Sequence, residues 1–143
     1  MSRKKQMNGT AAEVEAAFYD ALSRADVEAL MALWADDEEI VCVHPGGARL
    51  IGHAAIRSSW EEIFKRGAVH IHPVNLHATH NLMCSIHNIV EEIGPAPAGS
   101  QEAHILATNV YVKTPQGWRI VVHHASIAAG KAPIEPLKSA TLH

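Results

Sequence analysis

The chain has 143 residues, the length of a single domain, and a domain of this size can bury roughly two-thirds of its unfolded surface. Its 48% hydrophobic and 19% charged residues are typical of a soluble globular protein, and no apolar stretch is long enough to span a bilayer. The formal net charge is −3, and the clustered basic residues Arg3, Lys4 and Lys5 are confined to the N-terminus. We therefore expect neither a membrane partner nor a nucleic-acid partner.

The N-terminal segment and the cysteines indicate the compartment. The first ten residues, "MSRKKQMNGT", carry no apolar core of the kind that a secretory signal needs. Cys42 and Cys84 lie in apolar, strand-like runs without a paired spacing, which favours free thiols in a reducing compartment. We expect a cytoplasmic protein in which residues 1–9 form a disordered arm.

Three helices are predicted in the first half of the chain. Thr10, with a glutamate three residues on, forms a capping box for the first helix, and Asp26 is the N-cap of the second. A short strand follows at residues 40–44. The third helix is predicted from about Gly52 to Arg66, and Gly67 ends it.

The second half of the chain has the pattern of strands. Residues 69–93 hold two strands with a turn near His80 and Asn81, and "GPAPAGSQ" then reads as a loop. "AHILATNVYVK" and "WRIVVHHASIAA" are two further strands, joined as a hairpin at "TPQG". The order ααβαββββ indicates one α+β domain over residues 10–130, followed by an irregular tail at residues 131–143.

The last strand is apolar on both faces. Strict alternation places Trp118, Ile120 and Val122 on one face, and Val121, Ala125 and Ile127 on the other. A half-solvated sheet alternates apolar with polar residues more cleanly. We therefore predict a homodimer that pairs through the outer face of the sheet.

The whole pattern resembles the SnoaL-like and ketosteroid isomerase-like proteins of the nuclear-transport-factor-2-like superfamily. The resemblance covers about residues 10–128, and its sharpest segments are "WADDEEIVCVHPGGARLIGHAAIRSSW" and "GWRIVVHHAS". It implies a cone in which a curved, mostly antiparallel sheet wraps three N-terminal helices and leaves a pocket at its open end. Isomerases, cyclases, dehydratases and plain binding or oligomerisation modules all share this fold.

The resemblance also assigns positions in that pocket. His44 stands where ketosteroid isomerases carry the aspartate that shuttles the substrate proton, and Asn109 stands where they carry a protonated aspartate that stabilises the oxyanion. Phe18 takes the place of the oxyanion-binding phenol, and Trp60 that of the tyrosine supporting it. The missing hydroxyl at Phe18 argues against steroid isomerisation. Tyr19 is one residue away, about 100° around the helix.

Three residues are the candidate catalytic groups, each with a structural alternative. His44 is either a general base, because imidazole has an ordinary pKa of about 6.5, or a histidine that bonds the backbone of the turn. His123 and His124 face opposite sides of their strand, and the inward choice is His123, as a catalytic or a core histidine. Asn109 bonds either a ligand carbonyl or a neighbour such as His123.

The aromatic residues and the histidines complete the set of candidates. Phe18, Trp34, Trp60 and Tyr111 are predicted to line the substrate pocket, although such residues more often belong to the core. The 11 histidines provide neither a helical H-x-x-x-H motif nor a cysteine pair, so we expect no metal site and no cofactor.

Two functions remain open. The first is a cofactor-independent enzyme of the general acid–base type, an isomerase, dehydratase or cyclase acting on an apolar carbonyl compound. In it His44 is the base, and Asn109 and His123 orient the substrate. The second is a non-catalytic domain of the same fold that binds a small-molecule ligand or mediates oligomerisation.

Overall fold

The computed structural model describes residues 9–93 and 103–130 and shows an α+β domain with the three predicted helices and with six strands, one more than the sequence predicts. The helices are α1 (Ala11–Ser23), α2 (Val27–Met31) and α3 (His53–Phe64). The strands are β1 (Val41–Val43), β2 (Arg49–Ile51), β3 (Ile71–His80), β4 (Cys84–Ile93), β5 (Ala103–Thr114) and β6 (Gly117–Ala129). The predicted loop at residues 94–101, the tail at residues 131–143 and all but the last residue of the arm lie outside the described residues.

The helices begin where the capping residues predict. The hydroxyl of Thr10 accepts a hydrogen bond from the backbone N–H of Glu13 at 3.0 Å, and the carboxylate of Asp26 accepts one from that of Ala29 at 3.0 Å. These bonds satisfy N–H groups that have no partner inside the helix. The helix α2 is shorter than its apolar stripe suggests, because it ends at Met31 and Trp34 lies beyond it.

The strand β2 is the element that the sequence did not predict. It pairs antiparallel with β1, with Val41 opposite Ile51, after a turn in which Gly46 has φ of 76°. A strand of only three residues is too short for a period-two pattern to stand out. It forms because the outer edge of β1 offers unpaired backbone groups. The order of elements is therefore ααββαββββ.

The six strands form one sheet in the order β2-β1-β6-β5-β4-β3, in which only the β1–β6 pair is parallel. One row of residues crosses four of these strands. Cys42 is opposite His123, His123 is opposite Asn109, and Asn109 is opposite His87. Opposite residues share a face of a sheet, so these four side chains lie next to one another on the side that the helices cover.

A bulge in β6 corrects the predicted alternation of that strand. Tyr111 pairs with Ile120 while Val110 pairs with Val122, so Val121 is the extra residue. An extra residue reverses the facing of everything on one side of it. Ile120 consequently lies on the inner face together with His123, and is buried in the core. The predicted split, with Ile120 on the opposite face from Ala125, is wrong for this reason.

The core fills the space between the three helices and the inner face of the sheet. Its largest fully buried apolar side chains are Tyr111, Phe18, Leu22, Leu30, Leu33, Ile40, Ile56 and Ile120. Cys42 and Cys84 are free thiols, as predicted. Among the described residues, no helix has the length and hydropathy needed to cross a membrane.

Candidate functional site

Asn109 is the centre of a buried polar chain on the inner face of the sheet. Its side chain is 1% exposed. Its amide nitrogen donates to the Tyr19 hydroxyl at 3.1 Å and to the Glu15 carboxylate at 3.3 Å, both on α1. Its amide oxygen lies 2.6 Å from Nδ1 of His123. The amide thus has partners within the protein at both ends, which leaves it to hold its neighbours in place.

His123 is a neutral, buried imidazole. Because the amide nitrogen of Asn109 acts as a donor, its oxygen accepts, and Nδ1–H of His123 donates to it. Burial lowers the pKa of His123 to about 3, with smaller contributions from the charges of His44 and His124. The ring packs against Phe18, with centroids 4.9 Å apart, and lies 6.2 Å from the ring of Trp60.

His44 projects from the residue after β1 towards α3. Its Nε2 is 2.9 Å from the hydroxyl of Ser59, and that hydroxyl donates its own proton to the backbone carbonyl of Ile56 at 2.7 Å. Since a serine hydroxyl has one proton, Nε2–H of His44 is the donor to Ser59. The lone pair of a neutral His44 is therefore on Nδ1. Burial lowers the pKa of His44, which favours this neutral form.

Trp60 connects the two histidines. Its ring packs edge-on against His44, with centroids 4.6 Å apart, and tilts over His123 at 6.2 Å. The residue is 4% exposed, yet its indole N–H has no hydrogen-bond partner among the described residues. A buried donor without a partner costs about 1–3 kcal/mol, so a group of this kind needs an explanation.

The other two aromatic residues predicted for the pocket lie in different surroundings. Trp34 forms an isolated backbone bridge to Ile120 of β6, and its buried indole N–H is also without a partner in the described chain. The hydroxyl of Tyr111 donates to the Glu15 carboxylate at 2.7 Å, and its ring lies 5.0 Å from that of His87. The structure therefore places Tyr111 beside Glu15 and His87, and Trp34 beside Ile120. It brings the other five predicted residues together: Phe18, His44, Trp60, Asn109 and His123.

Glu15 organises a second part of the polar chain, which the sequence did not reveal. Its Oε2 accepts hydrogen bonds from Tyr111, from Asn109 and from Nδ1 of His87, the last at 2.9 Å. Nε2 of His87 is in turn 3.0 Å from the hydroxyl of Ser85. The side chains of all five residues are buried, so this cluster has exchanged its hydration for internal hydrogen bonds.

Tyr19 carries the hydroxyl that ketosteroid isomerase-like proteins have at the position of Phe18. It donates to the Glu91 carboxylate at 2.7 Å and accepts from Asn109. Burial raises the pKa of Tyr19 far above its ordinary range, and burial also raises the pKa of Glu91. The phenol beside the amide therefore exists, one residue later along α1 than the alignment placed it.

The sequence does contain a signal that Glu15 is buried. Glu15 lies one residue after Val14, and Tyr19 is four residues further along the same helical face. A glutamate within the apolar stripe of a helix is unusual, because burying its charge requires donors nearby. That signal identifies Glu15 as buried but does not name its partners, which lie 72 or more residues away in sequence.

Two cavities adjoin the sheet. One of about 380 Å³ lies between the start of α1 and the β3–β4 hairpin, and Ser85 and His87 are in its lining. Another of about 530 Å³ lies on the outer face, where Thr108 and His124 are in its lining. Neither is lined by His44, Asn109 or His123. Within the described residues, no group of three or more His, Cys, Asp or Glu side chains is placed to hold a metal ion.

Similar proteins place this arrangement in a family. A family model described as a SnoaL-like domain matches residues 12–130. A candidate calcium/calmodulin-dependent protein kinase type II association domain from Thiobacillus denitrificans is 33% identical, with a TM-score of 0.75 and coverage of 83% of this chain and 95% of that one. A candidate dehydratase of the NTF2-like family from Streptomyces avermitilis is 28% identical, with a TM-score of 0.72 and coverage of 86% and 96%.

A more distant structure shows the fold alone. An NTF2-like protein of unknown function from Pseudomonas putida is 18% identical, with a TM-score of 0.70 and coverage of 91% of this chain and 89% of that one. No curated protein matches the chain significantly. The family match over nearly the whole described domain confirms the resemblance, and the chain belongs to the SnoaL-like domain family of the NTF2-like superfamily.

Proposed function

We propose that this protein is a small-molecule enzyme of the general acid–base type that acts on an apolar carbonyl compound. The observation that carries the proposal is the pair formed by His44 and Trp60. Their rings are 4.6 Å apart, so a candidate base and a buried donor with no hydrogen-bond partner in the described part of the chain lie side by side.

His44 is suited to accept a proton. Its Nε2–H is committed to Ser59, so Nδ1 is the basic atom. Burial lowers its pKa below the ordinary value of about 6.5, so the imidazole is neutral at physiological pH. A neutral base at a fixed position can remove a proton from the carbon next to a carbonyl group.

Trp60 is suited to hold that carbonyl group. Its indole N–H would gain a partner on binding a carbonyl oxygen, and the bond would strengthen as negative charge develops on that oxygen. Phe18 and Phe64 pack on the Trp60 ring, at centroid distances of 6.1 and 5.8 Å. These rings supply an apolar wall, which favours an apolar substrate.

Asn109 and His123 take positioning roles in this proposal. The amide of Asn109 is already shared among His123, Tyr19 and Glu15, so a direct bond to substrate would break one of these contacts. His123 stays neutral and presents its ring to Phe18 and Trp60. Together the two residues fix the inner row of the sheet against which Trp60 packs.

Isomerisation, dehydration and aldol-type cyclisation all begin with removal of a proton next to a carbonyl group. The similarity to the Streptomyces avermitilis candidate dehydratase makes dehydration of a β-hydroxy ketone the first complete reaction to test. The shared proton step can be tested without knowing the substrate.

The test measures hydrogen exchange next to the carbonyl of cyclohexanone in D₂O by proton NMR. We expect the wild type to accelerate exchange and His44→Gln to reduce that acceleration by about 10²-fold or more, because Gln has no basic nitrogen. His72→Gln, which removes an exposed histidine of β3, is the matched control and should exchange like the wild type. Equal rates for His44→Gln and the wild type would refute the proposal.

The alternative function is a non-catalytic oligomerisation or ligand-binding domain, and the outer face of the sheet favours it. Ile86 and Leu106 are 36% and 42% exposed on that face, beside the cavity of about 530 Å³. The similarity to the Thiobacillus denitrificans association domain points the same way. An apolar face of this kind is typical of a two-fold interface.

Light scattering at micromolar concentration tests this assembly. We expect a homodimer for the wild type and a monomer for Leu106→Glu, because a charge would be buried in the interface. Leu82→Glu is the control, since Leu82 is exposed and lies in the β3–β4 turn, outside the strands that form this face. A monomeric wild type would contradict the assembly and leave the proton-transfer proposal untouched.

A further inference from the structure

Ser85, His87 and Glu15 form a linear arrangement on the far side of Asn109 from His44. Ser85 and His87 are two residues apart on β4, so both point to the inner face. The Ser85 hydroxyl is 3.0 Å from Nε2 of His87, and Nδ1 of the same ring is 2.9 Å from the Glu15 carboxylate. These are hydrogen-bond distances at both nitrogens of one imidazole.

The chemistry of the three groups fixes the direction of the hydrogen bonds. A carboxylate only accepts, so Nδ1 of His87 carries the proton that it donates to Glu15. Nε2 then carries the lone pair, and the Ser85 hydroxyl donates to it. A serine whose proton is held by an imidazole, which is oriented by a carboxylate, is the arrangement that activates a serine as a nucleophile.

Glu15 is held firmly in this arrangement. Its Oε2 also accepts from the Tyr111 hydroxyl at 2.7 Å and from the Asn109 amide at 3.3 Å. Both donors belong to β5, while Glu15 belongs to α1. The carboxylate is therefore tied to β5 by two hydrogen bonds and keeps the tautomer and the orientation of His87 constant.

A cavity gives a small molecule access to this serine. Ser85 and His87, each 4% exposed, are in the lining of the cavity of about 380 Å³. Most of the remaining lining is apolar and includes Ala11, Leu76, Ala78 and Trp118. No Asp, Glu, Lys or Arg of the described residues is in it, so it suits an uncharged ligand with an apolar group.

We propose that Ser85 is the nucleophile of a second reactive centre, which transfers acyl groups from small, uncharged, apolar esters to water. The Ser85 oxygen attacks the ester carbonyl carbon while its proton passes to Nε2 of His87. The bond to the alcohol oxygen breaks, and His87 returns the proton to the departing alcohol. Water then attacks the acyl-serine, with His87 as base, releases the carboxylic acid and restores Ser85.

Donors for the developing oxyanion are available in the same lining. The side chains of Thr10, Asn81 and Trp118 each carry an O–H or N–H group and border the cavity beside Ser85. This centre uses none of the groups assigned to proton abstraction at His44 and Trp60. The two activities are therefore separable by mutation.

The test treats the full chain with an alkyl fluorophosphonate, which adds phosphorus to the serine oxygen and releases fluoride. We expect one adduct per chain, located at Ser85 by peptide mass spectrometry, and a burst of p-nitrophenol from p-nitrophenyl butyrate. Ser85→Ala should lose the adduct and the burst. His87→Gln should slow labelling by about 10²-fold or more, because the base is removed.

Controls separate this chemistry from a structural role. Ser58→Ala, which removes an exposed serine of α3, and His44→Gln should label at the wild-type rate. Ser85→Cys, which retains a nucleophile, should form an acyl adduct at position 85 with p-nitrophenyl butyrate even if Ser85→Ala is destabilised. Glu15 acts as a positioning residue, so Glu15→Gln should slow labelling of Ser85, and Glu15→Asp, which keeps a carboxylate, should restore part of the rate.

Two outcomes would overturn the proposal. The first is the absence of any adduct at Ser85 in the folded wild type and of any acyl adduct in Ser85→Cys. The second is labelling of Ser85 that proceeds at the same rate in His87→Gln. Because His44→Gln affects only the proton-exchange assay, failure of this centre and failure of the proposed carbonyl chemistry give different results.

Discussion

The amide oxygen of Asn109 and Nδ1 of His123 are 2.6 Å apart across two neighbouring antiparallel strands. This short bond joins the side of the core that holds His44 and Trp60 to the side that holds Glu15 and His87. Both residues are buried, so neither finds water as a substitute partner. The inner row of the sheet therefore behaves as one connected polar unit inside an apolar core, and changes to its members should affect stability as well as function.

His123 should make the protein sensitive to acid. Its pKa is about 3 in the folded protein and about 6.5 in the unfolded chain, so between these values the unfolded state binds one more proton. The contribution of neutral His123 to the free energy of unfolding is fully present above pH 6.5. It is lost as the pH falls, by about 1.4 kcal/mol per pH unit. Urea unfolding at pH 7 and pH 5 measures this loss.

The variant His123→Gln tests whether His123 causes this dependence of the free energy of unfolding on pH. Gln can still donate to the amide oxygen of Asn109 but does not titrate, so the free energy of unfolding should depend less steeply on pH. His72→Gln, at an exposed position of β3, should keep the wild-type slope. An unchanged slope in His123→Gln would show that another group governs acid unfolding.

His44 should set the acid limb of activity. Burial lowers its pKa below about 6.5, and the base must be neutral to accept a proton, so the rate of exchange should be constant at neutral pH. The rate should fall only when the pH drops through the lowered pKa. The pH profile of exchange in D₂O measures this, and an acid limb above pH 6.5 is the contrary result.

Ser59→Ala extends the test of His44 to its tautomer. Without the Ser59 hydroxyl, Nε2–H keeps only the weak acceptor Sγ of Cys42 at 3.8 Å, so the proton can move to Nδ1, the atom proposed as the base. We expect a lower rate with a smaller loss than in His44→Gln, and little change in substrate affinity. A rate equal to that of the wild type would show that Ser59 does not fix the tautomer.

Trp60→Phe should separate binding from folding. The change removes a buried N–H that has no partner among residues 9–93 and 103–130, which stabilises, and leaves a small cavity, which destabilises. The net change in the free energy of unfolding should therefore be small, within about 1 kcal/mol. Affinity for a carbonyl ligand and the rate of exchange should both fall, because the donor is lost.

Trp34→Phe decides between the two tryptophans predicted for the pocket. It also removes a buried N–H that has no partner within the described residues, but Trp34 lies beside Ile120 rather than His44. We expect Trp60→Phe to lower the rate of hydrogen exchange and Trp34→Phe to leave it unchanged. Equal losses in both variants would place the substrate elsewhere in the core.

Glu15→Gln should destabilise the fold markedly. Three donors converge on one carboxylate oxygen, and the amide that replaces it brings donors of its own. We expect a loss of about 1–3 kcal/mol in the free energy of unfolding. Glu62→Gln, at an exposed ion pair on α3, should cost much less, because water screens that pair. Similar losses in the two variants would mean that the buried cluster contributes little.

Local sequence signals were sufficient for most of the fold. The caps at Thr10 and Asp26 and the turn before Gly117 act over a few residues, and each is visible in the chain as written. The strand β2 and the bulge at Val121 were not visible, because each depends on what the neighbouring strand offers. A bulge changes which face every later residue takes, so a local pattern cannot reveal it.

The candidate site shows the same difference between features visible in the local sequence and features that depend on distant residues. The sequence by itself determined the family, the position of His44 at the end of a strand and the presence of a buried amide at Asn109. Only the tertiary structure decided what these groups contact, since packing of α1 on β4 brings Glu15 within 2.9 Å of His87 across 72 residues of sequence. Each partner alone is an ordinary polar residue in its element, and it acquires a chemical role only when the fold removes water and supplies the other.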